Sequence, residues 1–181
     1  MEWKDPFASC PKVDLGVNFP NKKFREISNL HPHCEELKEK FEAVLGFEIK
    51  AVYCDDPNNM QIYWHPKGCH LGVNGVIYLT GFSIETILNK TEDLSDKEIL
   101  EVIFSHELGH QILNHHKQPA LKRNVKEVLA DIFGLELLSR IGWNITDAAE
   151  KMIEVIKTFS TSSGMQKQCN ARIAAVKEMV G

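Results

Sequence analysis

No stretch of this 181-residue chain approaches the roughly 18 uninterrupted apolar residues a membrane-spanning helix needs. The most apolar candidate, Val128 to Ile141, is broken by Asp131, Glu136 and Arg140. Dense basic runs are also missing. Lys plus Arg number 21 against 25 Asp plus Glu, for a net charge of −4, which argues against nucleic acid as the main partner. The opening Met-Glu-Trp-Lys-Asp-Pro has no basic segment leading into an apolar one. A standard secretory signal is therefore not expected, and a cytoplasmic location is, with export by another route left open. The five cysteines, Cys10, Cys34, Cys54, Cys69 and Cys169, form no Cys-x-x-Cys pair. An odd number without such spacing fits free thiols in a reducing compartment, not a disulfide framework or a four-cysteine zinc site. Repeats and low-complexity segments are absent as well.

What is present is the composition of one ordinary domain, 43% hydrophobic and 25% charged. Residues 1–22 carry Pro6, Pro11 and Pro20 with little periodicity and read as an irregular arm; residues 23–181 read as a single domain. Phe24, Ile27 and Leu30, then Leu37, Phe41, Val44 and Leu45, show helical spacing, interrupted near Pro32 and ended by Gly46. Ile49 to Cys54, Met60 to Trp64, His70 to Val73 and Val76 to Thr80 read as short strands, the last two joined by an Asn74-Gly75 hairpin signal. From Leu94 the period becomes helical. Ser95 with Glu98 three residues later is a capping-box pattern, and the helix it opens is expected to run on until Pro119 closes it. Val125 to Ile141, Asp147 to Phe159 and Asn170 to Val180 follow as helices, with a loop over Ser160 to Gly164. Helix, small sheet and then helices is the order of an α+β fold: an antiparallel or mixed sheet packed against a helical bundle.

The chemistry concentrates in His106-Glu107-Leu108-Gly109-His110. Residues four apart on an α-helix share one face, so two neutral imidazoles can bind one zinc ion. Glu107 stands beside them, placed to act on a metal-bound water as general base. The motif lies among Ile103, Phe104, Leu108 and Ile112, where two histidines and a glutamate would be costly to bury without a metal or partners. It points to a zinc-dependent peptidase.

A catalytic zinc needs a third protein ligand. Glu127 follows His110 by 17 residues on the next predicted helix, with Asp131 and Gly134 on the same stripe. A carboxylate ligand, a second carboxylate to orient a histidine and a small residue for close helix approach suit such a site. Two alternatives stay open. Asp131 could itself be the ligand. His116, six residues after His110, sits where a metzincin pattern places its third histidine, but Leu113 stands where that pattern needs a turning glycine. His115 reads as a surface or cleft-rim histidine.

Taken together, His106-Glu107-x-x-His110 and Glu127-x-x-Ala130-Asp131 resemble gluzincin metallopeptidases of the HtpX-like and CAAX-prenyl-protease-like type. Leu94 to Ile99 resembles the helix that leads into the motif, Asn74 to Thr80 the strand before it, and Arg172-Ile173 a C-terminal Arg-Ile. The resemblance spans about residues 70 to 176. It implies a zincin-like fold with the motif helix central, Zn2+ held by His106, His110 and Glu127, Glu107 as base, and Asp131 bonded to a ligand histidine. It also implies a peptide or protein substrate laid along the strand Val76 to Leu79. The chain departs from the family in lacking membrane spans and a His-Pro before the Arg-Ile, where it has Ser160-Thr161-Ser162-Ser163-Gly164. The oxyanion donor is therefore open, with Arg172 the first candidate and Tyr78 and His115 behind it.

Lesser features read structurally. Cys10 could reach the metal as a latency switch, and His65, Cys69 and His70 could form a second metal site, but packing and surface roles suit them better. Trp3, Trp64 and Trp143 read as packing residues, and Glu35-Glu36 with Lys38 to Lys40 as a solvated helix face. The sequence thus sets a zinc endopeptidase against one alternative, a catalytically silent zinc-binding domain that recognises a protein.

Overall fold

The structure, a computed structural model, describes residues 31–49, 51–53, 69–71, 77–79, 94–160 and 162–181. Five α-helices make up most of it: α1 (His31–Leu45), α2 (Asp96–Ile112), α3 (Arg123–Arg140), α4 (Ile145–Thr158) and α5 (Ser163–Val180). A single 3-10 turn, His115–Lys117, separates α2 from α3.

Local chemistry accounts for the helix ends. Pro32 falls in the first turn of α1, where a backbone N–H has no helical acceptor to lose. Leu37 and Phe41, one turn apart, are fully buried, and Gly46, at φ +73°, ends the helix in the left-handed conformation glycine adopts without strain. At the start of α2, Glu98 N donates to Ser95 Oγ at 3.3 Å and Ser95 N donates to Glu98 Oε2 at 2.8 Å, the expected capping box. At the end of α3, Trp143 N donates to Leu138 O at 3.0 Å and Gly142 N to Ser139 O at 3.1 Å around Gly142 at φ +103°. This Schellman arrangement turns the chain directly into α4. Trp143 Nε1 also donates to Glu101 Oε2 at 2.8 Å, which ties that corner to α2.

The core lies around α2. Ile99, Leu100, Val102, Ile103, Phe104 and Leu108 are all buried, which leaves this helix little solvated face. It touches α1, α3 and α4, and the Phe41 and Phe104 rings stack at 5.9 Å. Two glycines let α3 lie close against it. A Cβ on Gly109 would stand 2.7 Å from Ala130 O, and one on Gly134 would stand 3.1 Å from His106 N. Leu135, Leu137 and Leu138 of α3, with Ala148, Ala149, Met152, Val155 and Ile156 of α4, complete the packing.

The α+β expectation is corrected by this architecture. The described part of the chain is predominantly helical, and among the described residues the extended backbone is a small three-stranded patch against α2, not a layer comparable to the helices. Among the described residues, strands are found at Ala51–Tyr53, Cys69–Leu71 and Ile77–Leu79. The third pairs with the first in parallel and with the second antiparallel, Leu71 opposite Ile77. The helices from residue 96 onward bury their apolar stripes against one another and supply most of the described core, to which the strands add Ile77. Two helix boundaries also differ. α2 stops at Ile112, well before Pro119, and α5 starts at Ser163 because Ser162 Oγ accepts from Met165 N at 3.4 Å.

The expected arm over 1–22, the helical spacing over 23–30, the strand Met60 to Trp64, the Asn74-Gly75 turn, and Cys10, Trp3, Trp64 and His65 lie outside the described residues. So do the side chains of Cys69, His70, Tyr78 and His116. Among the described residues, no helix is long and apolar enough to cross a membrane.

Candidate metal centre

The close crossing of α2 and α3 sets one turn of each helix against the other. His106 and His110 project from α2 with ring centroids 4.7 Å apart and planes at 87°. Glu127, on the first part of α3, faces both. Its Oε2 lies 3.4 Å from His106 Nε2 and 3.9 Å from His110 Nε2, and the three ligand atoms fall within 4.8 Å of one another. This group could hold a metal ion. Ligands at about 2.0–2.2 Å from a tetrahedral ion stand about 3.3 Å apart, close to the separations found. The donor set of two imidazoles and a carboxylate fits a borderline divalent cation.

Both imidazoles are oriented through their other nitrogens. His106 Nδ1 lies 2.8 Å from Asp131 Oδ1, and His110 Nδ1 lies 2.6 Å from His115 Nδ1. Asp131, 1% exposed, is in turn held by Arg172 of α5, whose Nε donates to Oδ2 at 2.6 Å and whose second terminal nitrogen donates to Oδ1 at 2.7 Å. The remaining guanidinium nitrogen lies 3.7 Å from Glu127 Oε2. One arginine thus braces Asp131 in the two-pronged geometry that suits a buried carboxylate and stands beside Glu127 as well.

The electrostatics follow from this packing. Burial works against charge on His106, but the Asp131 carboxylate and the bond to Glu127 outweigh it and lift the imidazole to about 9. Burial is the main influence holding His110 below its ordinary value, with the neighbouring His106 adding to it and Glu127 opposing. Burial also leads in lowering His115, to about 4, helped by His110 and Lys126. Burial would raise Glu127 and Asp131, yet both are held well below the usual carboxylate range. His106 and His110 do this for Glu127, and Arg172 and His106 for Asp131.

The structure brings His106, His110 and Glu127 together and puts Asp131 against His106. Glu107 is buried on α2 beside them. Arg172 reaches the centre, but its contacts are with Asp131 and Glu127. His115 corrects the sequence reading. It is 4% exposed and packed against His110, not at a surface or rim. The chain turns back at Asn114, which adopts φ 53° and ψ 35° in the left-handed region. Asparagine enters that region more readily than most residues, so Leu113-Asn114 held the signal for a helix end that the reading overlooked. Gly109, inside the motif, is a packing residue whose role shows only in the close approach of Ala130. Neither a protein-family model, nor a characterised protein, nor a solved structure matches the chain.

Proposed function

We propose that this protein is a zinc-dependent endopeptidase of the gluzincin type, with His106, His110 and Glu127 as the metal ligands and Glu107 as the general base. The observation that carries the reading is the convergence of His106 Nε2, His110 Nε2 and Glu127 Oε2 from two helices, while both Nδ1 atoms are engaged elsewhere. Three protein ligands leave a tetrahedral ion one open position, which distinguishes a catalytic site from a closed structural one. Bound there, zinc supplies an acidified water and a Lewis acid for a peptide carbonyl.

The chain's own groups do the rest. Glu107 takes a proton from the attacking water and passes it to the departing amine as the C–N bond breaks. Asp131 keeps the His106 ring turned toward the metal, and Arg172 neutralises Asp131 so that a buried carboxylate can stand there. The resemblance of His106-Glu107-x-x-His110 and Glu127-x-x-Ala130-Asp131 to gluzincins supports the same assignment.

A second reading keeps the metal centre but not the reaction. Two of the three Arg172 nitrogens are engaged by Asp131, which weakens its case as oxyanion donor and favours a silent zinc-binding domain that recognises a protein. One experiment separates the two. Zinc per chain and peptide-library cleavage are measured for wild type, Glu107→Gln and Glu127→Ala. The peptidase reading expects one zinc and cleavage in wild type, zinc without cleavage in Glu107→Gln, and loss of zinc in Glu127→Ala. Equal background cleavage from wild type and Glu107→Gln would leave the silent domain.

A further inference from the structure

His115 has no part in the peptidase reading, yet it is one of the few buried polar residues among those described. It lies five residues past His110, and a continuous helix would carry it off the metal-facing side. The helix is not continuous. Ile112 ends α2, Asn114 turns left-handed, and the 3-10 turn returns His115 to His110. Lys126, the residue before Glu127, donates from Nζ to His115 O at 2.7 Å. The turn is thereby fastened to the helix that bears the third ligand.

We infer that His115 is a positioning residue for the metal centre. It accepts a hydrogen bond from His110 Nδ1–H and so fixes both the tautomer and the ring orientation of that ligand. This rests on the metal-centre reading above. The geometry restricts the chemistry closely. Two ring nitrogens 2.6 Å apart cannot both carry protons, so one donates and the other accepts. If His110 gives its Nε2 lone pair to a metal, its proton sits on Nδ1, and His110 is the donor. His115 then accepts at Nδ1 and keeps its own proton on Nε2. The separation is also too short for the two Nδ1 atoms to share an ion, since nitrogens bound to one tetrahedral zinc stand about 3.3 Å apart. His115 is therefore not a further ligand. The two ligand histidines are braced by different groups: a carboxylate behind His106 and a neutral imidazole behind His110. A carboxylate acceptor adds negative charge to a centre that already holds Glu127 and Asp131. An imidazole orients its partner without that addition.

The test is zinc affinity, measured by chelator competition on the full chain, with circular dichroism of each metal-free variant as the folding control. His115→Phe fills the space without an acceptor, while His115→Asn can present Oδ1 close to where Nδ1 stood. The expected result is one zinc in wild type, about tenfold to a hundredfold weaker binding in His115→Phe, and restoration to within about threefold in His115→Asn. Equal affinity of wild type and His115→Phe, or an equal loss in both variants, overturns the role while leaving the metal centre in place. A wild type that takes up no zinc overturns the metal reading and this role together. Should His115→Phe not fold, nitrogen-15 spectra of the wild-type imidazoles decide. The proposal requires a proton on Nδ1 of His110 and on Nε2 of His115, and a proton on His115 Nδ1 facing His110 refutes it.

Discussion

Replacing Gly109 by alanine tests whether the closeness of α2 and α3 builds the metal centre. The new methyl carbon would stand 2.7 Å from Ala130 O, 3.1 Å from Ala130 Cα and 3.3 Å from Ala130 C. All three are backbone atoms, so no side-chain rotation relieves the contact. Reaching the 3.4 Å of an ordinary contact opens the crossing by about 0.7 Å. Overpacking of this kind costs about 1–3 kcal/mol, while alanine regains about 1 kcal/mol of helix propensity. The net expectation is a loss of up to about 2 kcal/mol, or a fall of up to roughly 8 °C in Tm for a chain of this length. The same opening separates His110 from Glu127 beyond 3.9 Å, and sites tolerate only about 0.5 Å of misplacement, so zinc affinity should fall about tenfold or more. Thermal unfolding followed by circular dichroism and chelator competition read the two effects. Gly164→Ala is the control, because nothing lies within 4 Å of its added methyl. A Gly109→Ala chain as stable as Gly164→Ala, with wild-type zinc affinity, would refute the argument.

Three further outcomes follow from the same geometry. Arg172→Met leaves the buried Asp131 carboxylate with His106 as its remaining partner, a change that costs up to about 3–5 kcal/mol; thermal unfolding should show it, and Arg172→Lys should recover only part because it lacks the two-pronged contact. Zinc must displace a proton held on His106 up to about pH 9, so binding between pH 7 and 9 should release about one proton from this site and tighten about tenfold per pH unit. Calorimetry in buffers of different ionisation enthalpy reads that release, and buffer-independent heats would contradict it. In the metal-free chain the sign is fixed by the same residue. Its folded value of about 9 exceeds the ordinary 6.5, so this pairing stabilises fully below pH 6.5 and is lost as pH rises through 9. The metal-free Tm should decline across that interval, and a flat profile would count against the His106–Asp131 pair.

The parts of the centre that were legible in the sequence are those set by the helical period. His106 with His110, and Glu127 with Asp131, each lie four residues apart, and a helix puts such pairs on one face whatever surrounds it. Ser95 with Glu98 announced the start of α2 equally locally. What was not legible depends on contacts between elements. The apolar, partly β-branched segments around residues 49–54 and 76–80 suggest a sheet, but such a local signal does not say whether strands or helices will carry the core. The helical stretch after residue 94 buries its own stripes and dominates the described fold.

The misreading of His115 has the same origin and shows what the period cannot supply. Taken as helical, the residues after His110 lead His115 away from the metal, and only a break in the period brings it back. That break is one residue, Asn114, whose left-handed backbone reverses the chain within a turn of the second ligand. The two helices of the centre can cross as closely as they do only because Gly109 and Gly134 lack side chains. Once they cross, Lys126 comes within 2.7 Å of the His115 carbonyl and fixes the reversed turn. Substituting Asn114 should separate backbone from side-chain roles. Asn114→Gly keeps the left-handed turn and should leave zinc affinity near wild type, whereas Asn114→Val strains it, β-branched residues being rare there. Equal zinc affinity in the two variants would mean that the turn does not carry His115 to His110.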